Sequence, residues 1–81
     1  MVYTVEAAMN TLPPGEGGSI TRLTGGGPMR RRLLDLGFVP GAAVECLYRN
    51  LGGSLTAYAV RGAVMALRQA DAAMVRVMKT G

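Results

Sequence analysis

A mainly β fold, a small closed barrel of about five strands with one or two short helices, is what this sequence predicts. Three observations carry that expectation. Glycine is abundant, with 12 residues clustered at Gly15 to Gly18, Gly25 to Gly27, Gly41 and Gly52-Gly53, and these clusters punctuate short apolar stretches. From Val44 onward the apolar residues recur with a period of two. The chain is only 81 residues long, and a thin core of that size favours a sheet whose edges are protected by closure. Residues 1–81 read as one domain, with no repeat, low-complexity block or linker.

Each element follows from local chemistry. Val5, Ala8, Met9 and Leu12 share the spacing of one helical face, with Thr4 as N-cap and Pro13-Pro14-Gly15 as terminator. Ser19 to Leu23 reads as a short strand. Pro28 suits the first position of a second helix, where its missing N–H would be unpaired anyway. Met29, Leu33 and Leu36 line one face of that helix, and Gly37 is placed to cap its C-terminus in the left-handed conformation. Pro40-Gly41 then reads as a type II turn.

Beyond that turn the pattern is that of strands. Val44, Cys46 and Tyr48 alternate with Glu45, Leu47 and Arg49, which predicts a strand with Val44, Cys46 and Tyr48 on one apolar face. Asn50 to Ser54 forms a hairpin loop, Thr56, Tyr58 and Val60 the next strand, and Arg61-Gly62 a tight turn. Val64 to Leu67 and Val75 to Val77 are the remaining strands, joined by an Ala-rich helical turn between Arg68 and Met74.

Composition narrows the chemistry. The charge balance is basic, nine Lys+Arg against five Asp+Glu, and eight of the nine cations are Arg. Arginine is suited to bidentate contact with carboxylates or phosphates, so an acidic protein surface and a nucleic acid are both candidate partners. A solvated surface that opposes self-association is the bland alternative. With no His in the chain there is no ordinary general base near neutral pH, and no Ser, Cys or Lys has a recognisable activating neighbour, which argues against an enzyme. Glu6, Glu16, Asp35, Glu45 and Asp71 are scattered, so neither a dedicated iron site nor another resident cofactor is expected.

The soft side chains read as packing. Met29, Met65 and Met74 fall at inward positions, where Met fills gaps in a small core. Cys46, the only cysteine, has no disulfide partner and no His or Lys beside it, and reads as an inert core thiol in a reducing compartment. Gly25-Gly26-Gly27 ahead of a helix lacks the Lys-Ser/Thr ending of a phosphate-binding loop and reads as a flexible connection. Met1 to Glu6 lacks the basic start of a leader, and no apolar run approaches membrane-spanning length, so a soluble cytoplasmic protein is expected.

Arg30-Arg31-Arg32 stands out. Three cations in the first turn oppose the positive end of the helix macrodipole, each costing about 0.3–1 kcal/mol when exposed. Asp35 lies at i+4 from Arg31, but the cation-first order is the weaker one. Local stability therefore does not account for the cluster. Contact with an acidic partner and a merely solvated basic face are the two readings.

The run Arg32-Leu33-Leu34-Asp35-Leu36-Gly37-Phe38-Val39-Pro40-Gly41 resembles the central signature of the FeoA family. Leu12-Pro13-Pro14-Gly15-Glu16 with Ile20 resembles the family's opening. Val60-Arg61-Gly62, Ala66-Leu67-Arg68 and Asp71-Ala72 with Val75 and Val77 resemble its closing strands. One departure is visible: Ser54-Leu55 stands where the family commonly has Asp-Pro, which predicts a looser middle hairpin.

The resemblance implies an SH3-like barrel that serves ferrous iron uptake through contact with FeoB, the membrane transporter with a cytosolic GTP-binding domain. It also implies a relation to the C-terminal SH3-like domain of iron-dependent repressors. The family as a whole is associated with transition metal ions, whereas this chain's own residues favour protein contact over carrying metal. A structural role follows for the signature residues Arg32, Leu33, Leu36, Gly37, Pro40, Gly41, Gly62 and Leu67. The expected contact residues are Arg30, Arg31, Tyr48, Arg49 and Arg61. No small-molecule substrate and no membrane insertion are expected, and weak self-association is compatible with the sequence. A nucleic-acid-binding SH3-like module, or a stand-alone relative of the repressor domain, is the alternative. Against nucleic acid, the aromatics Tyr3, Phe38, Tyr48 and Tyr58 are too few for a stacking platform.

Overall fold

Backbone pairing between Glu6–Ala8 and Arg76–Met78 opens the fold and corrects the first helix expected from the sequence. A computed structural model of the protein describes residues 5–50 and 52–79. In it Glu6–Ala8 form strand β1, and only Met9–Thr11 turn, as a single 3-10 turn. Met9 and Leu12 point into the core while Val5 is 64% exposed, so the helical face is not used as one. The reason is energetic: a helix stopped by Pro13 would be too short to be stable alone, whereas the strand pairs its backbone against a neighbour. The N-cap assigned to Thr4 and the aromatic Tyr3 lie outside the described residues.

The remaining elements are β2 (Gly17–Leu23), α1 (Gly27–Leu36), β3 (Ala43–Arg49), β4 (Leu55–Val60), β5 (Ala63–Arg68), α2 (Gln69–Ala72) and β6 (Val75–Lys79). Six strands, where about five were expected, form one antiparallel sheet in the order β1-β6-β2-β3-β4-β5. Among the described residues no ladder joins β1 to β5, so hydrogen bonding leaves two edges. The single turn α2 packs against both β5 and the 3-10 turn, and the 3-10 turn against β6.

Two turns behave as their sequences predict. Pro28 lies in the first turn of α1, and Gly37 caps its end at φ +110°, while the Phe38 N–H donates to the Leu33 carbonyl at 3.0 Å. Arg61 and Gly62 take φ of +50° and +80° between the paired Val60 and Ala63, the two left-handed positions of a tight hairpin turn. Asn50 closes the middle hairpin: its N–H donates to the Leu55 carbonyl and its Nδ2 to Ser54 Oγ.

The core gathers Met9 and Leu12 from the N-terminal segment, Leu33 and Phe38 from around α1, and Ile20, Val44, Cys46, Tyr58, Val60, Val75 and Val77 from the strands. Met29, Met65 and Met74 are partly buried against it. One position shows how tightly the strands approach. A Cβ on Gly18 would lie 2.5 Å from the Met78 carbonyl oxygen, so β2 and β6 meet there only because residue 18 has no side chain.

A bulge between Cys46 and Tyr48 decides which face the end of β3 presents. Val44 and Cys46 point inward as expected, but the extra residue turns Tyr48 outward, where it is 62% exposed. The single apolar face expected for Val44, Cys46 and Tyr48 is therefore split.

Candidate functional site

The arginines fall into two groups by what their guanidinium groups touch. Arg30 Nη1 donates to the Leu23 carbonyl at 2.8 Å and so ties α1 to β2. Arg49 Nη2 donates to the carbonyls of Asn10 and Leu12 at 2.9 and 2.8 Å, holding the 3-10 turn against β3. Arg22 and Arg76 share Glu6 Oε1 at 3.0 and 3.3 Å, and Thr21 Oγ1 donates to Glu6 Oε2. Each of these four ties its own element to another segment, Arg30 over seven residues and the other three over 16 or more. Arg31, Arg32, Arg61 and Arg68 are exposed and have no ion pair or hydrogen bond from their side chains among the described residues.

The expected contact residues thus divide. Arg30 and Arg49 are engaged inside the fold, while Arg31, Tyr48 and Arg61 face outward from α1, β3 and the β4–β5 turn. The stem of Arg61 lies over the C-terminus of α1, its Cδ 3.1 Å from where a Cβ on Gly37 would sit. Of the signature residues, Leu33 and Leu67 are buried, Leu36 packs on the core, and Gly37, Gly41 and Gly62 occupy left-handed turn positions. Pro40 is exposed in the turn after α1, and Arg32 is exposed on the helix.

Register places a set of apolar side chains on the outer surface of β3, β4 and β5. Directly opposed residues point to the same face. Glu45, Ala59 and Val64 form one such row, Tyr48, Ala57 and Ala66 the next, and Leu55 with Arg68 the last. Val64, Tyr48 and Leu55 are 60%, 62% and 41% exposed, an outer face with little charge at its centre. Sequence reasoning missed Val64 and Leu55. Period two already marks Val64 as outward once Leu67 is inward, but a short apolar run reads as wholly buried.

Next to this face a groove of about 360 Å³ separates α1 from β5. Met29 and Leu36 form its helix wall, and Leu55, Ala66 and Leu67 its strand wall. Arg32 and Arg68 line it too, with Asp71 as its one acidic group.

The buried titratable groups are quiet. Burial pushes the Cys46 thiol above its ordinary value, with the Arg49 guanidinium opposing, so it is protonated and unreactive at neutral pH. Burial likewise raises the Tyr58 hydroxyl. The hydrogen bonds from Arg22 and Thr21 hold the Glu6 carboxyl below its ordinary range, against the opposing effect of burial. Among the described residues no three of His, Cys, Asp and Glu come together as a metal site would require, and no helix is long and apolar enough to cross a membrane.

Comparison with known proteins places this geometry. The FeoA domain model matches residues 8–79. Comparison with curated proteins finds no match. Among solved structures, an iron uptake regulatory protein, FeoA, is 25% identical with a TM-score of 0.83, over 94% of this chain and 99% of that one. Stenotrophomonas maltophilia FeoA in complex with zinc is 26% identical, with a TM-score of 0.75 over 95% of this chain and 89% of that one. It is described as an SH3 domain protein and offered as a bacterial ferrous iron transport activating factor. A manganese-dependent transcriptional repressor shares the fold at 17% identity and a TM-score of 0.84, over 99% of this chain but 45% of the repressor. Matched over nearly its whole described length, the chain belongs to the FeoA domain family, an SH3-like family linked to ferrous iron transport.

Proposed function

We propose that this chain is a cytosolic accessory protein of ferrous iron uptake that acts by docking on the cytosolic part of a FeoB-type transporter, with no chemistry of its own. The observation that carries this reading is the outer face of β3, β4 and β5. There Tyr48, Val64 and Leu55 are exposed on adjacent strands of a family member linked to iron transport. Arg31, Arg32, Arg61 and Arg68, without side-chain partners among the described residues, supply positive charge suited to an acidic surface.

Calorimetric titration of the cognate FeoB cytosolic domain, with GDP and with a GTP analogue, tests the proposal. Saturable binding is expected in at least one nucleotide state. Tyr48→Ala with Val64→Ser weakens it about tenfold or more, as loss of aromatic anchors does. Arg31→Ala is the informative arginine variant, because Arg30→Ala also breaks the bond to Leu23 and would report on folding. Absence of binding in both states overturns the proposal. Retention of the chain on DNA or RNA, with affinity falling steeply as salt rises, would replace it by a nucleic-acid role.

A further inference from the structure

Among the described residues strand β5 is paired on one side only. Its ladder runs to β4, it ends the sheet, and the groove beside α1 lies along it. A free strand edge is a template for another strand, and natural proteins usually blunt such edges with charge or cover. Here the six residues Ala63–Arg68 carry one charge, Arg68 at the end. Leu55 of β4 and Leu67 of β5 itself provide an apolar floor, faced by Met29 and Leu36 of α1.

Two cations meet at this groove. The fold gives Arg22, Arg30, Arg49 and Arg76 internal acceptors. Arg32 and Arg68, both lining the groove, have none among the described residues, and Asp71 makes no ion pair with either. A second copy of this chain would bring the same two cations against each other, and the net charge of +4 adds to that repulsion.

We propose that this groove receives an extended acidic and leucine-rich segment of a partner protein, which adds to the free edge of β5 as a further strand. The proposal rests on the docking reading above and names the chemistry of the docked segment. Its backbone pairs with β5, its alternate apolar side chains fill the floor between Leu67 and Leu36, and its carboxylates meet Arg32 and Arg68. Asp71 opposes acid at its end of the groove and so limits where a carboxylate can sit.

The probe is a short fluorescein-labelled peptide alternating Glu and Leu, with a second in which Gln replaces every Glu. Fluorescence anisotropy against the full chain is expected to show saturable binding of the first. The Gln peptide should bind about tenfold more weakly, and the Arg32→Gln/Arg68→Gln double variant should lose about tenfold for the Glu peptide. Asp71→Asn should tighten it, and Lys79→Gln, which removes one charge outside the groove, should not change it. Amide NMR shifts on binding should concentrate in Ala63–Arg68 and Met29–Leu36. No saturable binding, equal affinity for both peptides, or shifts centred on β2 and β6 would each overturn the proposal. A FeoB cytosolic domain that binds the chain without displacing the peptide, while Arg32→Gln/Arg68→Gln leaves its affinity unchanged, would overturn the groove as its docking site and leave the docking itself standing. Peptide binding without any FeoB binding would uphold the groove and overturn that partner.

Discussion

Arg49 reaches from the end of β3 to the carbonyl of Leu12, 37 residues earlier, and donates to it at 2.8 Å. The same guanidinium nitrogen also serves Asn10. The 3-10 turn thereby gains a charged donor for carbonyls that no helix continues to satisfy. Replacing Arg49 by Met keeps most of the stem and removes the donor. Urea unfolding of Arg49→Met should show a loss of about 2–3 kcal/mol, the cost of leaving such acceptors without a charged partner. Arg31→Met, on an exposed helix position, should change stability by about 0.5 kcal/mol or less.

Glu6 ties β1 to its neighbours through Arg22, Arg76 and Thr21. Its carboxyl titrates below the ordinary value of 4.5, so the ionised form is favoured by folding. The stabilisation is therefore fully present above pH 4.5 and is lost as pH falls through the lowered folded value. Glu6→Gln should be less stable than the wild type at neutral pH, with the difference shrinking below pH 4.5. Unfolding midpoints measured from pH 7 downward check this, and added salt should narrow the neutral-pH difference because the cluster is partly exposed.

Gly18 and Gly37 lack side chains for different reasons. Ala at 18 would press its Cβ against the Met78 carbonyl, and at 37 it would have to hold φ +110°. Gly18→Ala should cost about 1–3 kcal/mol through overpacking between β2 and β6. Gly37→Ala should cost about 1–2 kcal/mol through backbone strain at the helix cap. Thermal melts rank both against Gly26→Ala, where nothing lies within 4 Å of the added carbon and φ is ordinary.

Cys46 is fully buried, and burial raises its thiol above the ordinary value. Alkylation by iodoacetamide at pH 8 should therefore be slow in the native protein and follow the rate of opening. In denaturant it should become as fast as a free thiol, so mass spectrometry across a urea series would trace the same transition as circular dichroism. Rapid native labelling would contradict the burial.

Much of the fold was legible because its signals are local. Pro28 and Gly37 bracket α1, Arg61-Gly62 marks the tightest hairpin, and the alternation at Thr56, Tyr58 and Val60 gives β4. The first segment was not legible, because Val5, Ala8, Met9 and Leu12 satisfy a helical spacing that only pairing with β6 overrides. Period two groups Tyr48 with Val44 and Cys46 on one face even though it is also an expected contact residue, because a bulge shifts the later residues to the other face and leaves no mark in composition. The surface was least legible. A run of three arginines does not reveal that Arg30 is bound to Leu23 while Arg32 lines a groove with Arg68, since the first depends on how α1 folds back on β2 and the second on a strand distant in sequence.

Strand β6 lies between β1 and β2, and this order governs how the chain can acquire its structure. The first two strands share no ladder of their own: β2 can pair early with β3, but β1 has only β6 as its ladder partner among the described residues and must wait until that strand has emerged from the ribosome. The hairpins β3–β4 and β4–β5 can form early from neighbouring residues, whereas insertion of β6 closes loops spanning most of the sequence. Folding of the whole sheet should thus be late and concerted, slower than a helical domain of similar length, with the apolar strands of the hairpins open to other chains during synthesis.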